Sequence, residues 1–338
     1  LVPSGYFGGS DEVLMGRLGS VEVDNSGFVY VSDRDAKTIR VFNQNGDYSG
    51  AIAQSGNGPG ELSSLGAIRY HEGELYVLDT DRQQINVYSS SNFQFNRTIS
   101  TDTPVRNELE LLEGARVSDF FIRNSDELLL QFSKLNSAED RQLLYYVFAN
   151  GELLREEPLI DLKDAPIFTS RINGMALSMT LPFNRGSLLT QDSESNLYTV
   201  WTDEFKIEKF TPDGTPEYTY EAPFQKSELD RTAFIDSYGI SEVRRALQDA
   251  DFPEEWPALK NILADDVNRL WIATITENEE GFEWWVIDRL GKLITRFEWS
   301  RDKPIEVVKN GFLYTSQTNP ETGLQQVVRY CIEFGEGR

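Results

Sequence analysis

Histidine and cysteine, the side chains that most often do chemistry near neutral pH, occur once each among 338 residues, as His71 and Cys331. His71 falls in a short turn, Tyr70 to Gly73, and Cys331 lies in the apolar run Val327 to Phe334. Ser-His-Asp and Cys-His nucleophilic machinery is therefore excluded, as are a disulfide framework and a multi-cysteine zinc site. A small buried hydrophobe is the expected role of Cys331. What remains is the chemistry of carboxylates, cations and aromatic faces. Asp33, Asp79 and Asp203 recur at one point of a repeating pattern, where a carboxylate can accept backbone N–H groups and hold a turn. Arg34, Arg82, Arg171 and Arg185 stand out in an acidic chain as groups able to meet an anion, and Trp256 offers an aromatic face beside them. Gly56-Asn57-Gly58-Pro59-Gly60-Glu61 looks like a phosphate cradle but lacks Lys-Ser/Thr and a following helix, so it reads as a connector.

The bulk composition narrows the partners. Asp plus Glu number 55 against 32 Lys plus Arg, a formal net charge of -23. Such a surface repels phosphate backbones and anionic lipid, so neither nucleic acid nor a membrane surface is an expected partner. No run reaches the roughly 18 apolar residues of a membrane span. The sequence opens on Leu1 rather than Met, which suits a chain whose leader has been removed.

The elements that must position these residues repeat. Val21/Val23, Val29/Val31 and Ile39/Val41 alternate with polar neighbours, the period-2 signature of half-buried strands, and Asn25-Ser26-Gly27 and Asn45-Gly46 supply tight turns between them. An offset of 46 residues maps Tyr30 onto Tyr76, Asp33 onto Asp79, Asp35 onto Asp81, Ile39 onto Ile85 and Phe42 onto Tyr88. Looser copies follow, each with two apolar residues three apart on its third strand: Tyr145/Phe148, Ile207/Phe210, Trp284/Ile287 and Val327/Tyr330. Six four-stranded meanders, none able to bury both faces alone, predict an all-β, six-bladed β-propeller of antiparallel blades.

The expected organisation is one domain over 1–338, with blades at about 19–53, 66–100, 115–160, 186–224, 258–299 and 304–334. Too few residues follow Tyr330 to finish the last blade, so a strand within Leu1 to Leu18, with Glu12 to Leu18 the favoured stretch, is expected to close the ring. The long connections all fall at one end of the blades: Gln54–Leu65, Ser133–Arg141, Asp161–Arg185, Gln225–Pro257, Thr276–Glu283 and Gln317–Gln325. One face is thus plain and the other elaborated, and loops on a rigid scaffold are where binding sites concentrate. The largest, 225–257 between blades 4 and 5, reads as a helical insertion: Ser227 with Asp230 begins a cap, and Val243, Leu247 and Ala250 share one helical face. It would serve as a plug on the disc edge or as a lid over the central opening.

YVSDRDAKTIRVFNQNGDYSGAIAQSGNGPGEL in unit one and LYVLDTDRQQINVY in unit two resemble the NHL repeat, and TVWTDEFKIEKFTPDG in unit four resembles the Tyr-Trp-Thr-Asp repeat. The chain as a whole, including the segment Pro253 to Ile272, is similar to bacterial six-bladed β-propeller proteins of NHL/TolB-like type, many of them secreted or envelope proteins. That resemblance implies a periplasmic, envelope or extracellular location. The amidating-lyase branch of such propellers holds zinc with histidines, which a single His71 cannot supply. The lactonase-like hydrolases hold calcium on the axis with Glu, Asn and Asp oxygens, and here no motif singles out a ligand set. The leading expectation is therefore a non-catalytic monomer without a cofactor, binding a small molecule, peptide, glycan or protein on the loop-rich face through Arg34, Arg82, Arg171, Arg185 and Trp256. The alternative is a hydrolase or lactonase dependent on Ca2+.

Overall fold

The structure, a computed structural model, describes residues 1–10, 13–137, 140–172, 175–248 and 250–334. Six antiparallel sheets follow one another along the chain and close into a six-bladed propeller. Blade 1 runs Leu18–Val23, Val29–Asp33, Thr38–Phe42 and Tyr48–Ile52 from the axis outward, and the pattern repeats with inner strands Ile68–His71, Arg116–Asn124, Ser187–Gln191, Leu259–Ala264 and Ile305–Lys309. The inner strand of blade 1 lies against those of blades 2 and 6, and that of blade 5 against those of blades 4 and 6. In blade 3 the outer position is divided between Glu152–Leu153 and Ile160–Lys163, both paired with Arg141–Ala149.

The ring is closed by Val2–Gly8, which pairs antiparallel with Gln325–Cys331 as the outer strand of blade 6. The closing strand thus lies within Leu1 to Leu18 as expected, while the favoured stretch Glu12 to Leu18 is corrected. Residue 12 lies outside the described residues, Val13 to Arg17 form a connection, and Leu18 begins blade 1. The reason lies in burial. Val13 and Met15 are apolar because they tuck under blades 6 and 1, whereas the true strand buries only Phe7 and carries Pro3, Ser4 and Gly5 across a bulge.

Second strands are buried on both faces rather than one: Val29–Asp33 and Leu270–Thr274 are buried at every position. A neighbouring blade covers each side, as helices cover both sides of a parallel sheet. Outer strands such as Pro216–Glu221 keep the exposed alternation of a one-sided sheet. The apolar core is accordingly divided into six clusters, one at each blade-to-blade interface. In blades 1, 4 and 5 an aromatic residue of the second strand is anchored to a turn acid six residues earlier. The Tyr30 hydroxyl donates to Asp24 at 3.2 Å, Tyr198 to Asp192 at 3.0 Å, and Trp271 Nε1 to Asp265 at 2.9 Å. In each case the acid's other oxygen takes turn N–H groups, so one carboxylate fixes both turn and strand.

Among the described residues three short α-helices interrupt the blades: α1 (Pro104–Glu108), α2 (Arg231–Asp236) and α3 (Ser241–Leu247). The first, between blades 2 and 3, starts on Thr103 as N-cap with Pro104 at the first turn. The other two form the expected insertion. Asp230, rather than Ser227, caps α2, and α3 has no side-chain cap. The insertion does not pack alone. Leu247 and Ala250 join Phe183, Leu181 and Phe168 from the connection between blades 3 and 4 in a seventh apolar cluster, separate from the six between blades. Two insertions thus build one cap above blade 4.

Candidate functional site

Along the axis the inner strands place charges of alternating sign. Lys309 of blade 6 donates to the Val23 carbonyl at 2.7 Å, Glu22 of blade 1 lies between Lys309 and Arg69, and Arg69 of blade 2 pairs with Asp119 of blade 3 at 3.1 Å. Burial pushes the Glu22 carboxyl above its ordinary pKa, with Lys309, the Val23 N–H and Arg69 offsetting part of the rise. Glu306 of blade 6 is likewise raised by burial, against the nearby Arg34 guanidinium. Carboxylates on the axis are therefore matched by cations instead of converging. Among the described residues no three His, Cys, Asp or Glu side chains gather as a metal would require. This donor set does not fit calcium, which takes six to eight oxygens.

The repeated aspartates divide. Asp79 is fully buried and accepts the N–H groups of Ser63 (2.8 Å), Ser64 (3.2 Å) and Arg82 (3.2 Å), as well as the Ser64 hydroxyl (2.9 Å). Asp33 takes the N–H of Gly16 and of Ala36 at 3.3 and 3.1 Å. Asp203 departs from the turn-holding role. Its partners are Arg185 Nε at 2.9 Å and Lys226 Nζ at 3.1 Å, whose hydrogen bonds overcome the upward push of burial and hold its carboxyl below the usual range. Lys226 also reaches Glu255 at 3.1 Å, and Arg185 donates to the Glu255 carbonyl. This group of ion pairs staples the base of the cap to blade 4.

The residues singled out by sequence lie on the elaborated face but do not converge. Arg82 is committed to the Gly-rich connector, donating to the carbonyls of Glu61 and Gly56 and to Asn57, while Glu61 accepts the Gly58 N–H. Arg34 is exposed at the junction of blades 1 and 6, against Gly19. Arg171 is exposed on the hairpin Phe168–Ile172/Met175–Met179. Arg185 lines a recess of about 470 Å³ between the two insertions of the cap, beside Trp201 of blade 4. His71 stands in its plain-face turn 3.8 Å from Glu72, and Cys331 is half-buried opposite Val2, less enclosed than expected.

Trp256 lines a larger cavity of about 580 Å³ between the cap and blade 5. The cap contributes Ser227, Leu229, Phe234 and Trp256, and blade 5 contributes Lys260, Ile275, Thr276, Phe282 and, just past its outer strand, Arg301. Trp256 packs edge-on to Phe234 with centroids 5.9 Å apart. Lys260, near the start of the inner strand, has no hydrogen bond or ion pair among the described residues. It keeps surface open to the cavity, yet the surrounding protein, together with Arg301, pushes its pKa down. Desolvation also lowers Arg301, with Glu279 offsetting part of it. Arg301 uses Nε and one terminal nitrogen on the carbonyls of Gly281 and Asn278, both at 3.1 Å, and lies over the Phe282 ring at 4.7 Å. The lining acids, Glu228, Asp230, Glu277 and Glu279, are exposed at the edge of the cavity. Neither Lys260 nor Arg301 carries a sequence signal of its own, since both sit where the blade repeat places ordinary residues.

Fold and site together define a six-bladed β-propeller with a capped cavity on one face. The DUF5128 family model, described as a 6-bladed beta-propeller, matches residues 9–157, a stretch that ends after blade 3's third strand. No curated protein matches the chain. A DUF4221 family member from Bacteroides vulgatus ATCC 8482 is similar over 98% of this chain and 97% of its own, with 15% identity and a TM-score of 0.58. A candidate exported protein from Bacteroides fragilis NCTC 9343 is similar over 97% and 94%, with 11% identity and a TM-score of 0.55. At these identities the likeness establishes the fold alone.

Proposed function

We propose that the protein is a non-catalytic ligand-binding propeller of NHL/TolB-like kind, whose ligand occupies the cavity between the cap and blade 5. One observation carries this reading. Lys260 and Arg301 line the same cavity, Lys260 without a hydrogen bond or ion pair among the described residues and Arg301 bonded only to carbonyls, in a chain of net charge -23. An entering anion gains charge-assisted hydrogen bonds there. The volume suits a small molecule or the end of a peptide or glycan. Trp256, Phe234 and Phe282 supply faces for a ring or apolar body, and no histidine or cysteine lines the space. A calcium-dependent hydrolase has less support, because Glu22 and Asp119 already face cations on the axis. A monomer acting in the periplasm, envelope or outside the cell fits this reading, and the Bacteroides fragilis neighbour described as a candidate exported protein supports the location.

The test uses 1-anilinonaphthalene-8-sulfonate, an aromatic anion, titrated against the protein and its Lys260→Met variant. Loss of one charge-assisted contact is expected to weaken binding about tenfold. Equal binding by wild type and variant would overturn the assignment of this cavity.

A further inference from the structure

The cavity is not uniformly charged, and its asymmetry restricts the ligand further than a need for an anion does. Lys260 makes no hydrogen bond or ion pair among the described residues and Arg301 bonds only carbonyls, while Glu228, Asp230, Glu277 and Glu279 stand exposed at the edge without an ion pair among those residues. A polyanion such as a nucleotide or sulfated glycan would gain at the cations and lose at the acids. A neutral sugar would leave Lys260 and Arg301 without a hydrogen-bonded counter-charge. A simple carboxylate would satisfy the cations and ignore the acids.

Resting on the reading above, we infer that the cavity takes a zwitterionic ligand of the amino-acid and short-peptide class. Its carboxylate sits between Lys260 and Arg301, its apolar or aromatic side chain lies against Trp256 and Phe234, and a basic group faces Glu277 and Glu279. The hydrogen-bonding complement agrees. Lys260 offers all its N–H groups, and Arg301 retains one terminal nitrogen without a partner among the described residues. Ser227 and Thr276 add hydroxyls to the lining. These donors suit the acceptor-only oxygens of a carboxylate, while the exposed acids suit a donor-only ammonium or guanidinium. Capture of a peptide's terminal carboxylate is a recurring recognition mode, here met by side chains.

Displacement of bound 1-anilinonaphthalene-8-sulfonate distinguishes this inference from the reading beneath it. The competitors are L-arginyl-L-phenylalanine, its C-terminal amide and N-acetyl-L-phenylalanine, each against wild type, Lys260→Met and the double variant Glu277→Gln/Glu279→Gln. The free dipeptide should compete best, with amidation costing about tenfold and loss of the basic group about threefold. The double variant should erase only the advantage over N-acetyl-L-phenylalanine, and Lys260→Met only the penalty of amidation. If the fluorophore binds through Lys260 but the dipeptide gains nothing over N-acetyl-L-phenylalanine, or its amide competes equally, the zwitterion is wrong and the anion site stands. If the fluorophore ignores Lys260, both fall.

Discussion

Replacing Asp79 by alanine tests whether the repeated aspartate is a part of the blade, and the structure sets the size of the effect. Three backbone N–H groups and one hydroxyl lose their acceptor at a fully buried position, and Arg82, whose Nε is 3.9 Å away, loses its nearby counter-charge. An unsatisfied buried donor costs about 1–3 kcal/mol. The donors themselves are only partly buried and water can reach some of them, so the lower end applies, and the sum is about 4 kcal/mol. With an unfolding entropy of about 2.1 cal/mol/K per residue, the chain loses about 1.4 °C of Tm per kcal/mol, or about 6 °C for Asp79→Ala. Asp33→Ala, which frees only two N–H groups at 3.3 and 3.1 Å, should cost about half as much. Asp203→Ala removes ion pairs from a side chain 32% exposed, each worth about 1 kcal/mol or less. Differential scanning calorimetry on the three variants gives the order directly. If Asp203→Ala lost as much as Asp79→Ala, counting backbone donors would be the wrong way to read this repeat.

Two further perturbations probe the closing strand and the axis. Gly46 adopts φ of +93°, and a Cβ there would stand 2.3 Å from the Tyr6 carbonyl oxygen of the closing strand; Gly311, at φ +78°, has nothing within 4 Å. Gly46→Ala should therefore lower Tm by several degrees more than Gly311→Ala, which bears only the left-handed conformation at about 1 kcal/mol; equal shifts would mean that the closing strand does not press on that turn. Glu306 has a folded pKa raised by burial, so the native state holds its proton longer than the unfolded chain. Its contribution is complete below the ordinary carboxylate pKa of about 4.3 and is lost as pH rises from there through the raised folded value. Glu306→Gln should accordingly gain stability relative to wild type across that window and hold the gain at pH 7, as urea unfolding at several pH values would show; a difference independent of pH would contradict the shift.

Much of the fold was legible because its blades obey one rule. The pairs Ile39/Phe42 and Ile85/Tyr88 repeat since each third strand faces the same two neighbours, and burial on both faces leaves little freedom at these positions. Legibility failed where burial is one-sided or distant. Val2–Gly8 is a true strand with one buried side chain, so its pattern is weaker than that of the connection carrying Val13 and Met15. The helix Pro104–Glu108 is too short for periodicity, though Thr103-Pro104 is a local start signal. The Asp-to-aromatic spacing of six, shared by Asp24/Tyr30, Asp192/Tyr198 and Asp265/Trp271, was present in the sequence but acquires meaning only with the hydrogen bonds in view. Trp256 could be picked out as an aromatic residue in an insertion. Lys260 could not, because its significance comes from the absence of a partner.

The division of the core bears on where function lies. Six apolar clusters serve the six blade interfaces, and the cap adds a seventh made only from the two insertions. The ring therefore does not draw on the cap's apolar packing for its own core. The base of the cap is held to blade 4 by Arg185, Asp203, Lys226 and Glu255, polar contacts that fix its position while burying little apolar surface. An appendage with its own small core and a polar base contributes less to holding the ring together than to placing Phe234 and Trp256 opposite Lys260 and Arg301. The surroundings of both cations disfavour their charge, Arg301 adds to this at Lys260, and Glu279 offsets part of it at Arg301. Local inconsistencies of this kind, set in an otherwise satisfied repeat, are expected at functional sites, and here the inconsistency coincides with the one place where two insertions depart from the blade pattern together.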